Sequence, residues 1–157
     1  MDILVSPTGG GIRGDDDFGS GAFLAKRTGR PHYGEDRISL PPQPVVAPCD
    51  GHVIRRKRPY ADDPQWDGVL IESPMGLQIT LFYVAINPDL LGKEITQYQI
   101  IGTAQDLTPR YPGITPHVHM EVVWPKGRTL PVEWRINREY VVKGGSVYIN
   151  PTLLIGG

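Results

Sequence analysis

Residues 115–122 read TPHVHMEV, a segment in which two histidines alternate with apolar residues. Such alternation is typical of a β-strand. Side chains at positions i and i+2 of a strand point to the same face, about 6.6 Å apart along the backbone. The segment therefore predicts that His117 and His119 lie side by side on one face of a sheet, as a pair suited to metal binding or catalysis.

A second histidine motif lies nearer the N-terminus, where His32 and Asp36 are four residues apart with a glycine between them. Two imidazoles and one carboxylate suit zinc and leave its fourth tetrahedral position open, as in catalytic rather than structural zinc sites. Zinc in such a site acidifies water and polarises a substrate carbonyl group. A polar cluster of the same residues without a metal is the alternative.

The rest of the chain favours short strands and many turns. Its 157 residues include 19 glycines and 16 prolines, about twice the usual share, and no segment keeps helical periodicity over three turns. We therefore expect an all-β, single compact antiparallel domain with few or no helices. The predicted strands are Val45-Val46, His52–Arg56, Val69–Glu72, Leu77–Tyr83, Gln99–Thr103, His117–Val123, Glu139–Val142 and Ser146–Ile149.

Length and composition exclude several classes of protein. We expect an extended arm or loop over residues 1–17 and one domain over residues 18–157. A net charge of −1 argues against nucleic-acid binding, and a single cysteine, Cys49, excludes an intrachain disulfide. No apolar run approaches the roughly 18 residues that span a bilayer. The N-terminus has neither the basic nor the apolar region of a secretory signal peptide.

Three other polar features have plainer interpretations. Asp15-Asp16-Asp17 lacks the ligand spacing of a calcium loop and is expected to form a solvated acidic turn. The run Arg55–Arg58 is expected to be a solvated strand end, with polyanion binding as the alternative. The fourth histidine, His52, follows an Asp-Gly turn and is expected at the surface or in a structural role.

Four segments resemble, in order, motifs of the lysostaphin/LytM family of zinc endopeptidases, which cut peptide cross-links in bacterial cell walls. They are residues 30–36 (RPHYGED), 44–53 (PVVAPCDGHV), 99–102 (QIIG) and 116–122 (PHVHMEV), and residues 150–154 (NPTLL) resemble the family's closing segment. The resemblance covers about residues 18–154 and implies a site in a groove on one sheet. It also implies that His32, Asp36 and His119 are the zinc ligands. His117 would then be a catalytic histidine beside the metal.

One family feature is missing. The family has a second catalytic histidine, in a Tyr-x-His motif on a middle strand, but residues 79–86 (ITLFYVAI) contain none. Counting back from Gly102 and Gly92 places Tyr83 at that position, and a shift of two residues would place Ala85 there. A phenol can donate a hydrogen bond to an oxyanion, but with a pKa of about 10 it is a poor general base.

A subgroup of the same fold shares this departure. Residues 30–32, 57–60, 82–83 and 111–119 resemble leukocyte-cell-derived chemotaxin 2, an animal zinc-binding member that is regarded as a signalling protein without peptidase activity. This chain lacks that protein's disulfide cysteines and its secretory leader. The combination favours a bacterial or phage member of the subgroup.

Two functions therefore remain open. The first is a zinc-dependent peptidoglycan endopeptidase in which His117 shuttles a proton and Tyr83 steadies the oxyanion. Its partners would be peptidoglycan peptides, reached in the cell wall or periplasm after delivery by a phage particle or a secretion machine. The alternative is a catalytically inactive zinc-binding recognition module of the same fold. The residue at position 83 separates the two hypotheses, and the oligomeric state stays open.

Overall fold

The computed structural model describes residues 3–132 and 139–156. Within these ranges the named strands are short and pair antiparallel, so the all-β prediction is confirmed. The strands are β1 (Lys26–Arg27), β2 (Arg30–Pro31), β3 (Glu35–Ile38), β4 (Pro44–Val46), β5 (Gly51–Arg56), β6 (Gly68–Glu72), β7 (Gln78–Phe82), β8 (Val84–Ile86), β9 (Glu94–Ile95), β10 (Ile100–Ala104), β11 (His117–Trp124), β12 (Tyr140–Lys143) and β13 (Ser146–Ile149). Short 3-10 turns lie at Pro88–Leu90 and Pro151–Leu153.

Three sheets contain these strands. The large sheet has the order β12-β13-β11-β7-β6-β5-β9, and β3 also pairs with β11. A second sheet has the order β4-β10-β8, and β1 and β2 form a two-stranded ribbon. Nowhere in the ranges that the structure describes is a helix long and apolar enough to cross a membrane.

Strand β11 is the centre of the large sheet. Strand β7 pairs along one of its edges, while β3 and β13 share the other, β3 next to His117–Met120 and β13 next to Val122–Trp124. Because side chains alternate along a strand, Val118 and Met120 enter the hydrophobic core. The two histidines of this strand therefore point to the opposite face, which we call the front face.

The core lies between the large sheet and the three-stranded sheet. Ile71, Leu81 and Met120 of the large sheet and Val45 and Ile101 of the smaller sheet are fully buried in one cluster. Burying each such side chain contributes about 1.5–3 kcal/mol. This core makes the back of the large sheet a rigid support for polar groups on its front.

The N-terminal residues pack on the domain. Leu4 is buried and forms a parallel bridge with Ile155. Residues 11–21, which we call the arm, hydrogen-bond to β3: the Arg13 amide donates to the Asp36 carbonyl and the Asp36 amide donates to the Gly21 carbonyl. The residue 17 boundary expected from the sequence falls within this hydrogen-bonded arm.

Several strand bounds differ from the sequence expectations, and two differences have a clear physical cause. The strand expected over Leu77–Tyr83 ends at Phe82, because Tyr83 has a left-handed backbone with φ 68°. The basic run is partly paired rather than simply solvated: Arg56 Nε donates to Asp67 at 2.9 Å and Lys57 Nζ donates to Thr80 at 3.0 Å.

Candidate metal centre

Three polar side chains converge on the front face. Asp36 on β3 and His119 on β11 are register partners, which places their side chains next to each other on one face. His119 Nδ1 lies 2.9 Å from Asp36 Oδ1, and His32 Nε2 lies 3.0 Å from that nitrogen and 3.2 Å from that oxygen. The three residues are buried, and their ligand atoms lie within 4.8 Å of one another.

Hydrogen bonds behind the two imidazoles fix their tautomers. His32 Nδ1 donates to the Ala22 carbonyl at 3.0 Å, and His119 Nε2 donates to the Glu121 carboxylate at 3.0 Å. Since both partners can only accept, the inward nitrogens of the neutral imidazoles carry lone pairs. Carboxylates and carbonyls commonly hold metal-binding histidines in this way. The pocket thus directs two nitrogen lone pairs and a carboxylate oxygen at one point.

This donor set fits zinc. Tetrahedral zinc with bonds of 2.0–2.1 Å holds its ligand atoms about 3.3 Å apart, close to the separations of 2.9 to 3.2 Å in this cluster. Facing acceptors repel one another unless a cation or a proton lies between them. A metal ion would satisfy all three, whereas a single proton satisfies one pair.

The pKa shifts of Asp36 and His119 also indicate that the cluster favours positive charge. Burial alone would raise the pKa of Asp36, but its contacts with His119 and His32 outweigh burial and hold that pKa well below its usual value. Burial lowers the pKa of His119, but Asp36 and Glu121 reverse this and raise it to about 9. The carboxylates thus favour a cation at this point.

His117 stands beside the three ligands without belonging to them. Its Nδ1 donates to the Thr115 carbonyl at 2.8 Å, which leaves an Nε2 lone pair facing the site, 3.5 Å from Asp36 Oδ2. Burial lowers the pKa of His117. The imidazole is therefore neutral at pH 7, fixed in orientation, and able to accept a proton.

Tyr83 lies next to His117, and Ala85 does not share this place, since it pairs with Thr103 on the smaller sheet. The Tyr83 ring meets the His117 ring edge-on, with centroids 5.5 Å apart. Its hydroxyl lies 2.8 Å from that of Tyr60, which lies 2.6 Å from that of Tyr111. Burial is the main cause of a raised pKa of Tyr83, so the phenol is a neutral donor and not a base.

An open groove of about 650 Å³ contains this site. Its lining includes aromatic rings, among them Phe82, which stacks on His119 with centroids 5.6 Å apart. The lining also includes the cationic residues Arg27 and Arg30. The groove therefore gives an extended ligand access to the converging side chains.

Sequence reasoning proposed five residues for one site, and it missed residues that surround them. The structure brings His32, Asp36, His117, His119 and Tyr83 together, and it places His52 elsewhere, half exposed and 3.8 Å from Glu94. The hydrogen-bond partners that sequence reasoning missed are Arg13, Ala22, Tyr60, Tyr111, Thr115 and Glu121. Only Glu121, two residues after His119 on the same strand, carried a local signal.

The fold is that of the lysostaphin-type zinc peptidases. Solved structures that it resembles include a zinc-containing peptidase from Vibrio cholerae (23% identity, TM-score 0.52, 78% of this chain and 36% of that chain). Csd3 from Helicobacter pylori (20%, 0.56, 85% and 34%) and lysostaphin from Staphylococcus simulans (15%, 0.52, 94% and 67%) also match. The chain thus spans about a third of the length of the first two, and such low identity shows the fold alone.

Curated relatives define the family more narrowly. The chain is 32% identical over 119 residues to mouse leukocyte cell-derived chemotaxin-2, covering 76% of this chain and 78% of that protein. The bovine protein is 29% identical over the same length. The chain therefore belongs to the leukocyte cell-derived chemotaxin-2 family. No protein-family model matches it.

Proposed function

We propose that the protein is a zinc-dependent endopeptidase that cuts peptide bonds of bacterial cell-wall cross-links. The observation that carries the proposal is the state of His117. Its Nδ1 is held by the Thr115 carbonyl, its Nε2 faces the ligand cluster, and burial keeps it neutral. A recognition module would have no need for a proton acceptor held at this point.

The proposed ligands and His117 have separate roles in the reaction. His32, Asp36 and His119 would hold the zinc ion. Zinc, when bound, supplies positive charge that acidifies water and polarises a carbonyl group. His117 accepts a proton at Nε2 from the attacking water and returns it to the leaving amine, a role that contributes about 10²–10⁴-fold in rate.

Tyr83 takes the role of hydrogen-bond donor to the developing oxyanion. Its ring is fixed against His117, and its hydroxyl belongs to a chain of phenols with Tyr60 and Tyr111. Because the pKa of Tyr83 is raised, the hydroxyl keeps its proton at neutral pH. Preorganised donors of this type are typically worth about 10²–10³-fold in turnover.

The proposed substrate follows from the groove and from the fold. A groove of about 650 Å³ that is open to solvent has room for a peptide segment. The likeness to lysostaphin, described as an antimicrobial peptidase, supports wall peptides as the substrate. Delivery by a phage particle or a secretion machine is the corresponding route to the wall.

A second candidate is a zinc-binding recognition module without turnover. Tyr83 favours it, since a tyrosine replaces the second catalytic histidine and its hydroxyl already has Tyr60 as a partner. The family relationship to leukocyte cell-derived chemotaxin-2 points the same way. In that case the groove binds a peptide and releases it unchanged.

Muropeptide release distinguishes the two candidates. Zinc-loaded wild-type protein, His117→Ala and Tyr83→Phe are incubated with sacculi from Gram-negative and Gram-positive bacteria, and His52→Ala serves as the matched histidine control. If the protein is an endopeptidase, the wild type and His52→Ala release peptides at similar rates. The rate of release falls about 10²–10⁴-fold in His117→Ala and about 10²–10³-fold in Tyr83→Phe, while the zinc content is unchanged. Wild-type protein that carries zinc and releases nothing from any sacculus is instead the recognition module.

A further inference from the structure

We infer that Arg13, on the N-terminal arm, is a positioning residue of the metal centre. Its guanidinium fixes the carboxylate of Asp36 in the orientation that serves the two histidines, and it connects that carboxylate to His117 through Asp16. The inference rests on the metal centre of the proposed function, but it does not require peptide cleavage.

The carboxylate of Asp36 is divided between two sets of partners. Oδ1 faces His119 and His32, whereas Oδ2 accepts from Arg13 Nε at 3.2 Å and Nη2 at 3.1 Å. His117 Nε2 and Arg27 Nη2 lie farther from Oδ2, at 3.5 and 4.0 Å. Arg13 is only 2% exposed. Charge-assisted hydrogen bonds from a planar guanidinium are directional as well as strong. They prevent the carboxylate from rotating Oδ1 away from the histidines.

The remaining donors of Arg13 extend the contact toward His117. Nη1 contacts Asp16 Oδ1 at 2.7 Å and donates to the Gly19 carbonyl at 2.8 Å. Asp16 Oδ2 accepts from the Thr115 amide at 3.1 Å, and the Thr115 carbonyl accepts from His117 Nδ1. One continuous set of hydrogen bonds therefore joins a ligand residue, the arm and the proposed proton acceptor.

Charge balance explains why an arginine is tolerated so close to a cation site. An unpaired guanidinium would repel a metal ion across a few ångströms of protein interior. Asp16 lies against Arg13 and remains ionised, because the Arg13 hydrogen bond and its other contacts outweigh the effect of burial and lower its pKa. The pair supplies a rigid donor group with no net charge.

A purely structural arginine, holding the arm on β3, is the competing explanation, and metal affinity separates the two. The variants are Arg13→Gln, Arg13→Lys and, as the matched control, Arg37→Gln. Arg37 follows Asp36 on β3 and is paired with Glu35 at 3.1 Å. The measurements are the zinc Kd by chelator competition, the visible spectrum of the cobalt(II) form, and Tm in chelator.

Removing the partner of a metal ligand typically weakens metal binding by about 10–100-fold. We expect this loss, with an altered cobalt spectrum, in Arg13→Gln and a smaller loss in Arg13→Lys, which keeps the charge. Arg37→Gln should lower Tm in chelator while its zinc Kd stays within about threefold of wild type. If Arg13→Gln does not fold, the Lys variant decides alone, because the fork of donors is lost while the charge remains.

A zinc Kd in both Arg13 variants equal to that of Arg37→Gln would overturn the inference, as would an unchanged cobalt spectrum. These results are independent of muropeptide release. Release by the wild type together with an unchanged zinc Kd in Arg13→Gln refutes the role of Arg13 and leaves the endopeptidase standing. Absent release together with weakened zinc binding in Arg13→Gln refutes the endopeptidase and supports the role of Arg13. A wild-type chain that binds neither metal refutes both.

Discussion

Gly34 lies between two of the proposed ligands and leaves no room for a side chain. A Cβ at this position would overlap the backbone oxygen of Met120 and come within 2.9 Å of both Glu121 Cγ and His119 Cε1. The Met120 oxygen belongs to β11 and cannot move independently of the sheet. Gly34→Ala must therefore push β3 away from β11, which separates Asp36 from His119.

This change should lower both the stability of the fold and its affinity for zinc. Overpacking of this kind costs about 1–3 kcal/mol, and at about 2–4 °C per kcal/mol for a chain of this size Tm falls by roughly 2–12 °C. Widening the contact of 2.9 Å between Asp36 Oδ1 and His119 Nδ1 also weakens metal binding. Each tenfold loss of zinc affinity removes about 1.4 kcal/mol of the stabilisation by excess zinc.

The assay is thermal unfolding with excess zinc and with chelator, combined with chelator competition for the zinc Kd. Gly14→Ala is the matched control, because among the described residues an added Cβ there meets nothing within 4 Å. We expect Gly34→Ala to lower Tm in both conditions and to reduce the difference in Tm between excess zinc and chelator. If this Tm difference and the zinc Kd match those of Gly14→Ala, the steric reasoning is refuted.

Three further predictions test separate parts of the molecule. His119→Ala should abolish the single zinc ion per chain, measured by elemental analysis, whereas His52→Ala should retain it; equal zinc in both would remove His119 from the ligand set. Burial raises the pKa of the Cys49 thiol to about 12, so a thiol reagent at pH 8 should label it only after unfolding, and rapid labelling of native protein would contradict the buried position. Leu4 is 1% exposed and Leu40 is 79% exposed; Leu4→Ala should therefore cost about 2–5 kcal/mol in urea unfolding and Leu40→Ala almost nothing, and similar values would mean that the N-terminal residues do not pack on the domain.

The part of the site that could be predicted from the sequence is the part with local spacing. His117 and His119 are two residues apart on one strand, and His32 and Asp36 are four residues apart in one motif. Strand periodicity alone brings the first pair to one face. The register of β3 against β11, which brings the two motifs together, follows from pairing that no local pattern specifies.

The surroundings of the site depend on long-range contacts and therefore could not be read from the sequence. Arg13 reaches Asp36 across 23 residues, and Asp16 reaches Thr115 across 99. Each of these residues has an unremarkable local sequence, and Asp16 is most simply interpreted as part of a solvated acidic turn. Its partner becomes visible only once the arm is placed against β3.

Tyr83 lies between β7 and β8, where an unusual backbone conformation orients its ring toward His117. Tyr83 has φ 68°, a conformation that costs a non-glycine residue about 1–3 kcal/mol and is concentrated at functional sites. Its amide donates to the Asp67 carbonyl at 2.9 Å, which holds the strained backbone and sets the ring edge against His117.

The same backbone would direct a histidine toward the same neighbour, so the scaffold accommodates either residue. The difference lies in Tyr60, whose hydroxyl has the Tyr83 oxygen as a partner at 2.8 Å. Tyr83→His removes that partner and leaves the Tyr60 hydroxyl with the Tyr111 hydroxyl at 2.6 Å, so the loss is that of one hydrogen bond, about 0.5–1.5 kcal/mol. Tyr60→Phe in the same chain removes the hydroxyl that has lost this bond. The tyrosine cluster, rather than the backbone, is therefore what commits this chain to a phenol beside His117.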